Sequence, residues 1–174
     1  MANTMTLIAS VTLTSAQANI DFSSIPSTYT DLVIKGSTRV SNAAVQDGIS
    51  IKLNNNTAAN YSDRTLYGNG ASAASIYNVA GDNNAGMYWL YTSGNNATAS
   101  TFGNFEIYLP NYAGSTAKSA SYDSVSENNA TTAFAFLTAG LWNQTAAVNQ
   151  ITLVPASGNF MQYSTAYLYG VKSS

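Results

Sequence analysis

The 174-residue chain has 6 Lys and Arg against 8 Asp and Glu, so only 8% of it is charged and its net charge is −2. A typical domain is about 25% charged; with 11% aromatic residues and regular β-patterned segments this chain is not disordered, and its polar surface must be built from Asn, Ser and Thr. Histidine and cysteine are absent, which excludes Ser–His–Asp and Cys–His nucleophiles, His-ligated metals, zinc ribbons and disulfides.

Apolar residues recur with period two, the mark of half-buried strands. Thr4 to Leu13 alternates through Met5, Leu7, Ala9, Val11 and Leu13. It has neither the basic region nor the long apolar run of a signal peptide, and residues 1–13 are expected to form a strand or an arm reaching neighbouring subunits. Strands follow over Ala18–Phe22 and Asp31–Lys35, with Pro26 fixing the turn between them and Leu32-Val33-Ile34 reading as buried on both sides. In Gly48–Leu53 the residues Ile49, Ile51 and Leu53 should face inward, and Asn54-Asn55-Asn56 ends the strand.

Asn60 to Tyr67 suits a single helical turn capped by Ser62. Met87–Tyr91 reads as a strand between two Asn- and Gly-rich turns, and Phe105–Leu109 as one that stops at Pro110. Further strands are predicted over Ala117–Tyr122, Ala133–Ala139, Gln150–Val154 and Thr165–Val171. Roughly eight to ten short strands without a long amphipathic helix imply one domain over 1–174. The expected fold is all-β, an antiparallel two-sheet β-sandwich of jelly-roll type, with an immunoglobulin-like sandwich as the alternative.

The chemistry open to such a chain is narrow. Paired carboxylates can run a glycosidase, and the acids are Asp21, Asp31, Asp47, Asp63, Asp82, Glu106, Asp123 and Glu127. Most sit in turns, where Asp caps backbone N–H groups, while Glu106 lies mid-strand on the polar side and is the best candidate for a pair. Asp82-Asn83-Asn84 and Asp123 offer the oxygen ligands that Ca²⁺ takes, but their spacing matches no EF-hand and a polar turn is the plainer reading. Triplets of the glycan-acceptor type begin at Asn55, Asn60, Asn96, Asn129 and Asn143, as expected by chance in a chain so rich in Asn and Thr. No cofactor and no metal is expected.

Lys35, Arg39, Lys52, Arg64, Lys118 and Lys172 are scattered singly, so no nucleic-acid footprint exists. No segment has the length of a membrane-spanning helix, and a soluble protein folded in a cytoplasm is expected. The aromatic residues Tyr88, Trp89, Tyr91, Tyr163, Tyr167 and Tyr169 fall on both faces of their strands. Both faces of a sandwich strand cannot be core. Some of these rings therefore stand at sheet edges, at contacts between subunits or where they can stack on a sugar.

Several segments together resemble small β-sandwich virion structural proteins of tailed phages, of the type found in cyanophages and marine phages. They are Thr14 to Pro26 followed by Thr28-Tyr29-Thr30-Asp31-Leu32-Val33-Ile34, then Ile51-Lys52-Leu53-Asn54 with Asn60-Tyr61-Ser62, and finally Ala166-Tyr167-Leu168-Tyr169-Gly170-Val171. The stretch from Ala71 to Thr101 carries no such match. The resemblance implies a virion subunit made in the host cytoplasm, without enzymatic activity. It would be a capsid decoration (cement) protein that binds the major capsid protein, as a homo-oligomer, with a trimer the first guess. A tail or fibre component that binds tail proteins and host surface glycan is the alternative. Asp31 and Gly170 then have structural jobs, a cap and a close backbone approach.

Overall fold

The computed structural model describes residues 4–79, 85–129 and 132–172. The strands in chain order are β1 (Thr4–Thr12), β2 (Ile20–Phe22), β3 (Asp31–Thr38), β4 (Gln46–Leu53), β5 (Tyr61–Gly68), β6 (Ala73–Asn78), β7 (Met87–Ser93), β8 (Gly103–Pro110), β9 (Lys118–Ser126), β10 (Phe134–Trp142), β11 (Ile151–Pro155) and β12 (Thr165–Lys172). No helix occurs among the described residues. All strand pairs are antiparallel, in one sheet of order β1-β12-β3-β8-β9-β10-β5-β6 and a second of order β2-β11-β4-β7.

Setting aside the hairpins β5–β6 and β9–β10 leaves β1-β12-β3-β8 facing β2-β11-β4-β7. That is the strand order of a jelly roll. One hairpin is inserted between β4 and β7, the other between β8 and β11, and they pair with each other through β10 and β5 to widen one sheet to eight strands. The fold expected from the sequence is therefore the one found, with two insertions.

Alternation drives the burial. β9 is buried at every second residue from Lys118 to Ser126, and β4 buries Ile49, Ile51 and Leu53. The core between the sheets is filled by Ile20, Phe22, Leu32, Ile34, Leu90, Ile107, Leu109, Leu153, Phe160 and Leu168. Val33 is also buried, on the outer side of the large sheet, where Tyr169 and Tyr108 flank it in the neighbouring strands. Both sides of Leu32-Val33-Ile34 are thus covered, as its composition predicts.

Two expectations are corrected, and one strand is added. Residues 60–67 form no helical turn: Tyr61–Gly68 is β5, with Ser62 on its outer face. The inward residues Tyr61, Asp63 and Thr65 do alternate, but two of the three are polar, so a hydrophobic period cannot reveal the strand. β6, Ala73-Ala74-Ser75-Ile76-Tyr77-Asn78, passes unnoticed as well, because it is largely exposed and shows no clean alternation of apolar and polar residues. In β1 the odd-numbered apolar residues do not share one face. Leu7 pairs with Tyr169 but Ala9 with the buried Leu168, so a bulge at Ile8 turns Met5 and Leu7 outward and Ala9 and Val11 inward. β1 is an edge strand of its own sheet, and residues 1–3 of the expected arm lie outside the described residues.

The segments that carried the family resemblance do structural work. Tyr61 is fully buried with its ring stacked over Trp142 at 6.3 Å, and its hydroxyl accepts from Leu53 N at 3.1 Å. Asn54 donates to Ala147 O and accepts from Asn149 N, pinning the 147–149 segment to the end of β4. Asp31 caps Asn111 N at 3.0 Å and accepts from the Tyr108 hydroxyl at 2.9 Å. The Tyr29 ring lies on Gly170 so closely that a Cβ there would sit 2.3 Å from it.

Candidate functional site

The acids do not converge on a cleft. Asp21 accepts from Gln150 Nε2 and Thr152 Oγ1, Asp47 from Gly48 N and Ser157 N, and Glu127 from Asn129 N. Asp63 accepts from Asn78 Nδ2 and Tyr88 N. Burial pushes both Asp47 and Asp63 above the usual carboxylate range. Glu106 and Asp123 are cross-strand neighbours on the outer face of the large sheet, and Glu106 is paired with Lys35 at 2.7 Å. Burial, then the Glu106 charge, raises Asp123. This is the pair that a carboxylate mechanism would need, but it lies on a sheet surface with one member already neutralised by a lysine. Asp82-Asn83-Asn84, the suggested Ca²⁺ turn, lies outside the described residues, and no acid cluster able to hold a metal occurs among those described.

The six aromatic candidates fall in three places. Trp89 has a left-handed backbone, φ 60°, where the β4–β7 register shifts, and this brings Tyr88, Trp89 and Tyr91 into one half-buried cluster. Tyr91 stacks on Phe136 at 4.4 Å and on Trp89 at 5.9 Å, and Tyr88 meets both neighbours edge-on. Phe136 continues the stack to Tyr67 and Phe134. The rings occupy one another's faces. Tyr167 and Tyr169 stand half-buried on the outer face of β12, opposite Lys35 and Val33. Tyr163 alone is exposed, at 69%, with φ 72°, beside a hollow that includes Asn95, Ser100, Phe102 and Met161.

Side chains close the free edge of β7 rather than another strand. Asp63 takes Tyr88 N, Ser124 Oγ takes Tyr91 N, and the Tyr122 hydroxyl donates to Tyr88 O. A hydroxyl pair bridges the sheets nearby, Ser93 with Ser126 at 2.8 Å, and another joins Thr65 and Thr138 across adjacent strands of the large sheet at 2.8 Å. Two cations do similar work. Arg39, 5% exposed, donates to the carbonyls of Asn95, Ala97, Thr98 and Thr101, while Lys118 donates to those of Gly114, Thr116 and Thr145. Burial lowers the pKa of both.

The feature with the largest unmet demand lies on the other side of the inserted hairpins. The outer face of β9, β10, β5 and β6 exposes Leu66 at 62% and Leu137 at 59%, directly opposite each other, with Leu141, Val125 and Tyr77 around them. Next to that leucine ridge lies a shallow hollow of about 570 Å³ walled by Leu66, Gly68, Ala73, Ser75, Ala135 and Leu137. Arg64 is stacked over Tyr77 at 4.8 Å. Four strands about 4.8 Å apart and ~25 Å long present roughly 500 Å². Asp123 stands opposite Leu137, and Ser121 and Ser119 opposite Ala139 and Leu141, so the apolar strip is only part of that area; an exposed strip of this kind suits a contact surface.

Sequence reasoning missed this face because β5 and β6 were not recognised as strands. The signal was Phe134-Ala135-Phe136-Leu137 in β10, apolar at successive positions, a pattern proper to a strand covered on both sides. The chain covers only the side of Phe136.

No protein-family model matches the chain, and no curated protein and no solved structure matches it. Fold and surface alone define the class: a jelly-roll β-sandwich, poor in charge, whose two inserted hairpins carry an uncovered apolar face.

Proposed function

We propose that this chain is a non-catalytic structural subunit of a tailed-phage virion, and within that class a capsid decoration protein. The observation that carries the reading is the open apolar face of β9, β10, β5 and β6, which suits a protein whose work is making contacts. The sequence resemblance supplies the virion, and the jelly-roll architecture, common among viral capsid domains, agrees with it. A surface with 8% charge gives little long-range repulsion between neighbours.

The mechanism is mass action. A ligand that binds only the assembled lattice of the major capsid protein stabilises it by RT ln(1 + [L]/Kd), about 2.7 kcal/mol at a hundredfold excess over Kd. Capsid shells stripped of the protein should melt at lower temperature and recover when it is added back. Unchanged melting would reject decoration.

A second reading has one specific observation in its favour. Tyr163 projects into solvent beside amide and hydroxyl groups, the composition of a sugar-stacking site on a tail or fibre tip. Binding on a glycan array that disappears in Tyr163→Ala would favour it, and a silent array would remove it.

A further inference from the structure

We propose that Asn69 is a site of self-modification. In the native chain the backbone nitrogen of Gly70 attacks its side-chain amide and converts the residue, without any enzyme, to aspartate and isoaspartate.

Asn69-Gly70 is the one Asn-Gly pair in the sequence. It lies in the turn between β5 and β6, beyond the last cross-strand pair, Gly68 with Ala73. Ring closure on an asparagine requires the next backbone nitrogen to reach the side-chain carbon. A Cβ on that next residue obstructs the approach, and glycine has none. Gly70 is exposed, has φ 83° and has nothing within 4 Å of the place a Cβ would take. Among the described residues its N–H has no acceptor. The nucleophile is open to solvent and committed to no other bond.

The amide it would attack is held in place. Asn69 Oδ1 accepts from Ala71 N at 3.1 Å, Ser72 N at 2.8 Å and Ser72 Oγ at 3.3 Å, and Asn69 N donates to Ser72 O at 3.2 Å. Attack at Cγ drives negative charge onto Oδ1, and donors already aimed at that oxygen stabilise the charge there. Other asparagines are followed by an amide that is engaged. Those after Asn55, Asn96, Asn143 and Asn149 donate to Leu53 O, Gly94 O, Trp142 O and Asn54 Oδ1. Asp47-Gly48, the one Asp-Gly pair, is locked inside β4. There the Gly48 N–H donates to the buried Asp47 carboxylate, and the Tyr88 hydroxyl fills the space a Cβ would need.

The reaction balances with water alone. Gly70 N gives its proton to solvent base and bonds to Asn69 Cγ. The Cγ–Nδ2 bond breaks, and ammonia leaves with a proton returned from solvent. Water then opens the five-membered imide. Addition at Cγ restores the ordinary peptide bond and leaves aspartate; addition at the main-chain carbonyl leaves isoaspartate, with the chain running through the side chain. The net charge goes from −2 to −3, and the new carboxylate stands at the end of the hollow that Gly68 and Ala73 help to wall. Aspartate can still accept from Ala71 N and Ser72 N. Isoaspartate adds a methylene to the main chain and should loosen the Gly68–Ala73 end of the hairpin.

Peptide mapping by mass spectrometry, on the full native chain incubated at neutral and at mildly alkaline pH, tests this. The expected result is a gain of about 1 Da in the peptide holding residues 69 and 70, as two separable isomers. The gain should come faster at the higher pH. It should vanish in Asn69→Gln, whose longer side chain closes a less favourable ring, and slow at least about tenfold in Gly70→Ala. Native chain should convert at Asn69 at least as fast as chain unfolded in urea, whereas folding should protect Asn149. No gain at this peptide, the same gain in Asn69→Gln, or a native rate well below the rate in urea would each overturn the proposal.

Discussion

The two halves of the eight-stranded sheet share a backbone and differ in what their outer faces require. Across β12, β3 and β8, outward groups satisfy one another: Lys35 with Glu106, Tyr108 with Asp31, and Val33 between two tyrosines. Across β9, β10, β5 and β6, the inserted half, the outward groups include Leu66, Leu137, Leu141, Val125 and Ala135, with Asp123 opposite Leu137, and none of the described residues lies over the two leucines Leu66 and Leu137. On the inner side the contrast reverses. The jelly-roll half packs on aliphatic core, while the inserted half meets β7 through the Ser93–Ser126 hydroxyl pair, a bond from Thr138 to Trp89 O and a stack of rings. Chain added to a jelly roll that already has its core has been given an apolar exterior, and exteriors of that kind exist to be covered.

The contrast can be broken most forcefully with leucines. Leu168→Ala, in the fully buried centre of β12, should cost about 2–5 kcal/mol of unfolding free energy. Leu137→Ala, on the open face, should change the monomer by less than about 0.5 kcal/mol. Denaturant titrations at low concentration measure both, and equal losses would mean that the inserted face is covered within the monomer.

Alkaline unfolding sharpens the inner contrast. Burial holds Tyr61 protonated up to about 12 and also raises Tyr88, Tyr91 and Tyr122. Above pH 10 the unfolded chain has released these protons and the folded chain has not. Stability therefore falls as pH rises from 10 through the folded values, by at most about 1.4 kcal/mol per unit for each fully shielded ring. Tyrosinate absorbance should appear together with loss of the β-sheet signal. Its appearance in a still-folded protein would mean that the rings are open to water. At the acid end, the raised Asp47 and Asp63 gain their protons earlier in the folded chain, so their share of stability grows on acidification towards 3.8 and declines as pH rises through their folded values.

Smaller effects separate the two faces further. Gly170→Ala would press a methyl group into the Tyr29 ring and should cost about 1–3 kcal/mol. Thr65→Val removes the 2.8 Å partner of the buried Thr138 hydroxyl, which keeps its longer bond to Trp89 O, and should cost about 1 kcal/mol. Glu106→Gln, in a half-exposed ion pair, should cost less than about 1 kcal/mol. If any glycoside hydrolysis by the purified chain is seen, loss of it in this variant would revive the carboxylate reading.

Residue pattern made the jelly-roll half legible. Ile49, Ile51 and Leu53 alternate cleanly, Pro110 stops β8, and Gly170 and Asp31 have the structural tasks their chemistry suggests. Other features were out of reach for physical reasons. A one-residue bulge at Ile8 leaves the composition of β1 unchanged while turning Met5 and Leu7 outward. The inward residues of β5 are polar, so hydropathy is silent there. Arg39 reads as a stray surface charge until the fold brings four carbonyls from residues 95–101 around it. The apolar face depends on β10 lying next to β5, some 70 residues away in sequence, and the aromatic cluster on a positive φ at Trp89 that no local signal announces.

The most direct measurement is hydroxyl-radical footprinting of the leucines, in dilute protein and again in concentrated protein and on capsid shells. The prediction is that Leu66, Leu137 and Leu141 react freely when dilute and become protected on assembly, while Leu7 on β1 stays reactive throughout. Unchanged reactivity of all four in every assembled state would contradict the claim that the inserted hairpins form a contact surface.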